Sequence, residues 1–128
     1  MPLELKLLVW TAALIFVQML VAAIAGTLQL GVAPFLGNRE PALQLTGWAG
    51  RAQRAHRNML EYFALFAALV LVAQATGKLN DMTTLGAQLF FWARLAHAVV
   101  YVAGIVYLRT AVWIVSVMAL ILIFARLV

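Results

Sequence analysis

The sequence has no cysteine and little charge. Of its 128 residues only 10% are Asp, Glu, Lys or Arg, against roughly 25% in an ordinary soluble domain. Without cysteine the chain has no disulfide, no thiolate nucleophile and no thiolate metal ligand. Two histidines and no cysteine make a poor set of metal ligands, so we expect no metal site.

Apolar side chains dominate instead. They make up 66% of the residues, and the mean hydropathy is +1.03. These values predict a single domain, residues 1–128, whose surroundings are lipid rather than water. The net charge of +5 favours acidic partners. Because the arginines lie within apolar segments and not on a solvated face, we expect anionic lipid or a small anionic ligand, and no nucleic acid.

Four apolar segments are long enough to cross a bilayer, which needs roughly 20 residues. The predicted helices run from about 5 to 30, 48 to 76, 83 to 108 and 110 to 127. Pro34, Gly37 and Pro41 interrupt the chain after the first helix, and Gly77 ends the second. The later connections are short, so neighbouring helices should be antiparallel. The sequence predicts an all-α membrane protein built as an antiparallel four-helix bundle.

The distribution of Lys and Arg predicts the orientation, because cytoplasmic loops carry the excess of positive charge. The side of the first and third connections has five such residues: Arg39, Arg51, Arg54, Arg57 and Arg109. The opposite side has three: Lys6, Lys78 and Arg126. We therefore expect the first connection to be cytoplasmic and both termini to lie outside.

The segment RAQRAHRNMLEYF, residues 51–63, brings charge into a spanning helix. At 3.6 residues per turn its polar side chains share a stripe about 100° wide. The members of this stripe are Arg51, Arg54, Asn58, Glu61 and Tyr62, with Arg57 beside it and His56 on another side. Arginines at a helix end can simply extend to lipid headgroups. That explanation suits Arg51 and Arg54, but Asn58 and Glu61 lie deeper, where a buried carboxylate needs a partner.

The third helix has a similar stripe, formed by Arg94, His97 and Tyr101. Arg94 lies near the middle of its span, where an arginine costs roughly 2.5–3.5 kcal/mol on insertion scales. We therefore expect Arg94 to face protein, with Glu61 as its partner. The two stripes together predict a polar pocket on the cytoplasmic side, and its cations favour a ligand with more than one carboxylate.

The first helix has a quieter stripe of small and polar residues, Thr11, Gln18, Ala25 and Gln29. Such residues form contact faces between membrane helices. We interpret the stripe as packing, with Gln29 as its one possible ligand contact. The four tryptophans are interpreted as interface anchors or packing residues: Trp10, Trp48, Trp92 and Trp113.

The stretch RAQRAHRNMLEYFALF resembles the second-helix signature of the MAPEG family, the membrane-associated proteins of eicosanoid and glutathione metabolism. The signature has the form R-x-x-R-A-x-x-N-x-x-E. The preceding LTGWAG and the later WARLAHAVVYVAGIVYLRT are similar to the bacterial branch of that family. The resemblance covers most of residues 45 to 111. A bacterial inner membrane is accordingly the expected location, with the active face toward the cytoplasm.

The resemblance implies a homotrimer that binds glutathione as a cosubstrate between adjacent subunits. In relatives the tripeptide is held by second-helix positions that match Arg54, Arg57, Asn58, Glu61 and Tyr62. Third-helix positions that match Arg94, His97 and Tyr101 close the site, and the residue at the His56 position reaches in from a neighbouring subunit. We add Arg51 to the expected binding residues because it lies on the same stripe.

The resemblance also implies how such a site would work. In relatives an arginine at the start of the fourth helix holds the glutathione thiolate. Arg109 is the candidate here, and Thr110 follows it. The eicosanoid enzymes also have an arginine near the end of the first helix, where this chain has LQLG at 28–31. The implied activity is a glutathione-dependent membrane transferase or peroxidase that acts on a lipophilic electrophile or hydroperoxide.

Two alternatives remain open. The first is a non-catalytic membrane protein that binds anionic lipid or another acidic metabolite through Arg51, Arg54 and Arg57. The second is a small proton-coupled exporter, which needs an intramembrane carboxylate such as Glu61. The arginines around Glu61 disfavour the exporter, because they stabilise the charged carboxylate.

Overall fold

The computed structural model describes residues 1–38 and 44–128. Within these ranges the chain is helical and has no strand. The helices are α1 (Leu3–Leu30), the one-turn α2 (Ala33–Leu36), α3 (Gly47–Ala75), α4 (Asp81–Ala103) and α5 (Val106–Leu127). Arg39 and Pro41, which entered the predictions of orientation and helix ends, lie outside the described residues.

Four of these helices are long and apolar enough to cross a membrane: α1, α3, α4 and α5. Their lengths of 28, 29, 23 and 22 residues exceed the roughly 20 that a bilayer requires. The predicted all-α, four-helix membrane architecture is confirmed. The protein is therefore an integral membrane protein that crosses the bilayer several times.

Contacts at the helix ends show how the four helices alternate. Glu4 at the start of α1 accepts a hydrogen bond from Thr83 at the start of α4. Arg51 at the start of α3 donates to Val102 at the end of α4. The bundle therefore has two ends, which we name by what they carry. The pocket end holds the α1–α3 connection and the α4–α5 turn, and the far end holds the α3–α4 turn.

The boundaries of α4 follow from two local signals. Asn80 begins the helix with a capping box, in which its side chain accepts from Met82 N and Thr83 N while Thr83 Oγ1 accepts from Asn80 N. Gly104 ends it by adopting the left-handed conformation, φ 82° and ψ 22°. The sequence predicted a helix from about 83 to 108; the structure instead places this break at Gly104 and begins α5 at Val106.

The core is a cluster of apolar side chains from α3, α4 and α5, to which α1 contributes Leu7. Phe66 of α3 stacks on Phe90 of α4 with ring centroids 4.2 Å apart. Gly86 brings α4 close to α5, because a Cβ there would lie 2.6 Å from Ile123 Cγ1 and 3.2 Å from the Ala119 carbonyl oxygen. This close approach uses a small residue as membrane helices commonly do. It makes α4 and α5 a tightly packed hairpin.

Candidate functional site

A polar cavity of about 260 Å³ lies at the pocket end, between α3 and the α4–α5 hairpin. Its lining residues are Asn58, His97, Tyr101, Arg109, Thr110 and Trp113. Asn58 comes from α3, His97 and Tyr101 lie one turn apart on α4, and the other three lie in the first turns of α5. Five of the six residues were expected from the sequence.

Trp113 is the lining residue that sequence reasoning assigned to another role. It was interpreted as an interface anchor or packing residue, but it lines the polar cavity and meets the Tyr62 ring edge-on, with centroids 6.2 Å apart. The signal that could have found it is its spacing. Trp113 follows Arg109 by four residues and Thr110 by three, so the three side chains share one face of a helix.

A row of side chains connects α4 with α5 along the cavity. The Arg109 guanidinium carbon lies 4.8 Å from the centre of the Tyr101 ring. Tyr101 in turn meets His97 with ring centroids 5.4 Å apart at an angle of 60°. A cation over an aromatic face is attracted by the ring quadrupole. Tyr101 therefore gives Arg109 a fixed position at the cavity while leaving its N–H groups available to an anion.

Arg94 lies behind the cavity wall and is 1% exposed. Its Nη2 donates to Asn58 Oδ1 at 2.8 Å, its Nε contacts the Met59 sulfur at 3.2 Å, and its guanidinium carbon lies 5.2 Å from the centre of the Tyr62 ring. Arg94 thus faces protein, as its cost in a membrane requires. It orients the Asn58 amide, which lines the cavity.

The expected ion pair between Arg94 and Glu61 is wrong. Glu61 is exposed and has no hydrogen bond or ion pair with the parts of the chain that the structure describes. Asn58 lies about one turn before Glu61 on α3, and the Arg94 guanidinium reaches Asn58. Asn58, and not Glu61, is therefore the hydrogen-bond partner of Arg94.

Two buried polar atoms near the cavity have no hydrogen-bond partner, Arg94 Nη1 and His97 Nδ1. Only one other such atom, Gln18 Oε1 on α1, occurs among residues 1–38 and 44–128. Buried polar groups in native structures are nearly always hydrogen-bonded, and exceptions call for a reason. Their concentration beside one polar cavity indicates a region arranged for a bound polar molecule.

The remaining α3 residues of the predicted site lie outside the cavity. Arg54, Arg57 and Glu61 are exposed on α3, and His56 is half-buried. Tyr62 is half-buried between Arg94 and Trp113. Exposed charges on a membrane-spanning helix are costly in lipid unless protein or water covers them. This face of α3 is therefore poorly suited to contact with lipid tails, in contrast to the apolar faces of the bundle.

Gln29, the one ligand contact predicted on the first helix, already has partners. Its Nε2 donates to the Thr46 carbonyl oxygen at 3.1 Å and to Thr46 Oγ1 at 3.2 Å, and its Oε1 accepts from Thr46 N at 2.8 Å. These bonds tie the end of α1 to the start of α3. Gln29 therefore has a structural role, and the prediction of a ligand contact at this position is not supported by the geometry.

The far end contains a buried acid that the sequence interpretation overlooked. Glu4 is 3% exposed and accepts a hydrogen bond from Thr83 Oγ1 at 2.8 Å. It lies beside the N-terminus of α4, where a carboxylate is favoured by the helix dipole. Among the residues that the structure describes, no three His, Cys, Asp or Glu side chains come together as a metal site. Glu4 is thus part of the packing of α1 against α4.

The similarity between this chain and known proteins lies at the family level. No curated protein matches the sequence. Residues 7–128 match the sequence model of the MAPEG family, a match that covers nearly the whole chain and includes every residue of the cavity. The four helices that are long and apolar enough to cross a membrane agree with that match. The chain belongs to the MAPEG family of membrane proteins, which is associated with eicosanoid and glutathione metabolism.

Proposed function

We propose that this protein is a glutathione-dependent membrane transferase or peroxidase. The observation that carries the proposal is Arg109, held against the Tyr101 ring at a polar cavity inside a membrane protein that has no cysteine. The residues that line the cavity supply one guanidinium and several hydrogen-bonding side chains, but the chain has no thiol nucleophile of its own. Family membership supports glutathione as the molecule that brings the sulfur.

Two positive groups favour an anion at the start of α5. The first is the Arg109 guanidinium, and the second is the N-terminus of the helix itself, where backbone N–H groups point outward. Electrostatic interactions are stronger in a low-dielectric site than in water. A thiol bound there loses its proton more readily, and the resulting thiolate is the nucleophile. Thr110, which also lines the cavity, offers a hydroxyl next to the same position.

The thiolate can react in two ways with a molecule that arrives from the bilayer. With an electrophile, the sulfur forms a carbon–sulfur bond and a leaving group departs or a strained ring opens. With a hydroperoxide, the sulfur attacks the outer oxygen, the O–O bond breaks, and a glutathione sulfenic acid forms. The departing alkoxide takes a proton from water and becomes the alcohol. A second glutathione then reduces the sulfenic acid and gives the disulfide and water. The protein acts in both cases by stabilising the thiolate.

We further propose that the site is completed by other copies of the chain in a homotrimer. The cavity of about 260 Å³ lies just below the roughly 300–1,000 Å³ of ordinary ligand pockets. Arg54, Arg57 and Glu61 lie exposed outside it, on a helix that crosses the membrane. If α3 of a neighbouring subunit covered these charged side chains, they would lie next to the ligand rather than lipid. His56 of that neighbouring subunit would then approach the same site.

The proposed orientation puts the cavity on the cytoplasmic face of a bacterial inner membrane, with the termini outside. The pocket end contains Arg51, Arg54, Arg57 and Arg109, whereas Lys6, Lys78 and Arg126 belong to the far end. Positive charge accumulates on the cytoplasmic side of membrane proteins, which supports this orientation. Glutathione is a cytoplasmic metabolite, so the same orientation gives the cavity access to it.

The test is an ultraviolet difference spectrum recorded while glutathione is titrated into the detergent-purified protein. In the wild type we expect a thiolate absorbance that saturates as glutathione is added. Glu61→Gln should bind glutathione more weakly but give the same absorbance per bound molecule. In Arg109→Ala the equilibrium constant or the rate for thiolate formation should fall by about 100-fold or more, so that the thiolate signal is lost. The variant should still elute from a sizing column like the wild type. A variant that loses its assembly together with the signal would show that Arg109 is structural.

The alternative function rests on the exposure of Arg54 and Arg57. A non-catalytic protein that binds anionic lipid or another acidic metabolite through these residues would show binding that weakens steadily with salt. It would also show no preference for a ligand that carries a thiol. Comparing glutathione with its S-methyl derivative in the same titration therefore separates the two functions.

A further inference from the structure

We propose that Arg51 is a positioning residue that sets the place of Arg109 by clamping the end of α4. The sequence groups Arg51 with the ligand-binding arginines, but the structure gives it a partner inside the protein. Its Nε donates to the Val102 carbonyl oxygen at 2.9 Å. The proposal rests on the proposed function, since it concerns the residue that would stabilise the thiolate.

The contact between Arg51 and the turn involves more than one hydrogen bond. Gly104 lies directly under the guanidinium: a Cβ at this position would be 3.4 Å from Arg51 Nε and 3.5 Å from Arg51 Cζ. A Cβ at 104 would make ordinary van der Waals contact with Arg51, so the guanidinium packs directly on the turn. Glycine is favoured here by the left-handed backbone, with φ 82°.

Arg51 completes the hydrogen bonding of the turn. The last carbonyl groups of a helix have no partner within the helix. At the end of α4, Gly104 N bonds to the Tyr101 carbonyl oxygen at 3.0 Å and Ile105 N bonds to that of Val100 at 3.2 Å. The Val102 carbonyl receives its hydrogen bond from Arg51. The positive charge of Arg51 is also favoured at the negative end of the helix dipole.

The turn connects the two members of the cation–aromatic contact. Only Gly104 and Ile105 separate α4 from α5. Tyr101 lies in the last turn of α4, and Arg109 lies in the first turn of α5 with its N–H bonded to the Ile105 carbonyl oxygen at 3.2 Å. A change in the turn therefore moves Arg109 relative to Tyr101, which it contacts at 4.8 Å. Arg51 acts on the cavity through this turn, since it does not line the cavity itself.

The experiment compares three measurements in Arg51→Gln, Arg51→Lys, Gly104→Ala and the control Lys6→Gln, which removes an exposed far-end charge. The first measurement is amide hydrogen exchange of residues 104–109, the second is the glutathione thiolate spectrum, and the third is affinity for S-methylglutathione. That derivative keeps both carboxylates but cannot form a thiolate. Gly104→Ala strains the left-handed backbone of the turn that Arg51 contacts, without removing any charge, so it carries the test if Arg51→Gln does not fold.

We expect Arg51→Gln to exchange the amides of the turn at least ~10-fold faster, because the hydrogen bond to a charged group is lost. We expect its thiolate signal to fall by a similar factor, while its affinity for S-methylglutathione changes less than about twofold. Arg51→Lys should restore part of both losses, since lysine can still donate to Val102. Gly104→Ala should resemble Arg51→Gln, and Lys6→Gln should match the wild type.

Three results would overturn the proposal. Equal weakening of glutathione and S-methylglutathione in Arg51→Gln would show that Arg51 holds the ligand directly. Unchanged exchange at residues 104–109 would show that Arg51 does not clamp the turn, whatever the thiolate does. If Arg51→Gln exchanges faster but the wild-type protein forms no glutathione thiolate, the proposed function is rejected. Arg51 would then stabilise the turn without any role in catalysis.

Discussion

The two ends of the bundle differ in whether their polar side chains have hydrogen-bond partners. At the far end the buried Glu4 accepts from the buried Thr83. Two exposed residues there also have partners: Asn80 caps α4, and Lys78 donates to the Leu127 carbonyl oxygen at 2.9 Å. At the pocket end Arg94 Nη1 and His97 Nδ1 are buried without partners beside a cavity. The far end has the arrangement that stability favours, and the pocket end departs from it in the way that functional sites do.

The comparison predicts the largest effect for Arg94→Met. Methionine fills similar space but removes the cation behind the cavity and leaves Asn58 without its donor. We expect thiolate formation or turnover to fall about 100-fold, while the free energy of unfolding stays the same or rises, because a buried cation costs free energy that an apolar side chain does not. Turnover assays and thermal unfolding in detergent measure the two quantities.

A large loss of stability in Arg94→Met would break the comparison. Arg94 would then stabilise the fold as the far-end residues do, and its unpartnered Nη1 would carry no functional meaning. Adding Asn58→Leu to Arg94→Met provides the control. It removes the unpaired amide oxygen, so the double variant should be as stable as Arg94→Met or more so.

Thr83→Val is the corresponding change at the far end. It keeps the shape of the side chain but leaves the Glu4 carboxylate buried without its hydrogen-bond donor. We expect a loss of about 1–3 kcal/mol in the free energy of unfolding and an unchanged thiolate signal. Thermal unfolding followed by tryptophan fluorescence would show the first, and glutathione titration the second. A loss of the thiolate signal in a folded Thr83→Val protein would mean that the two ends are not independent.

Lys78→Met should have the smallest effect. The Lys78 ammonium bonds to the carbonyl oxygen of Leu127 near the end of α5, and the residue is exposed. A cation at a helix C-terminus contributes about 0.3–1 kcal/mol, so the midpoint of thermal unfolding should fall slightly and depend less on salt. A larger change would show that this contact holds the hairpin to the α3–α4 turn.

The fold was predictable from the sequence because membrane helices depend on length and hydropathy. The apolar segments were long enough to cross a bilayer four times, and the bilayer core has no water to hydrogen-bond a backbone that is not helical. The end of α4 was harder to predict. Gly104 and Ile105 interrupt an apolar run that hydropathy alone does not divide, and the left-handed glycine is the only local signal.

Part of the predicted site lines the cavity, and the roles of its residues stay predictions. Helical spacing placed His97 and Tyr101 on one face, and the cavity contains both. Spacing within one helix says little about depth, however, and so could not choose between Asn58 and Glu61 as the partner of Arg94. Nor could it show that Arg51 reaches Val102, since that contact joins residues 51 positions apart.

The close contact at Gly86 and the two-residue turn after α4 join α4 and α5 at both ends. Five of the six cavity residues belong to this hairpin, and only Asn58 belongs to α3. The cavity therefore lies across the boundary between α3 and the hairpin, and the Arg51–Val102 hydrogen bond joins these two parts of the bundle at the pocket end.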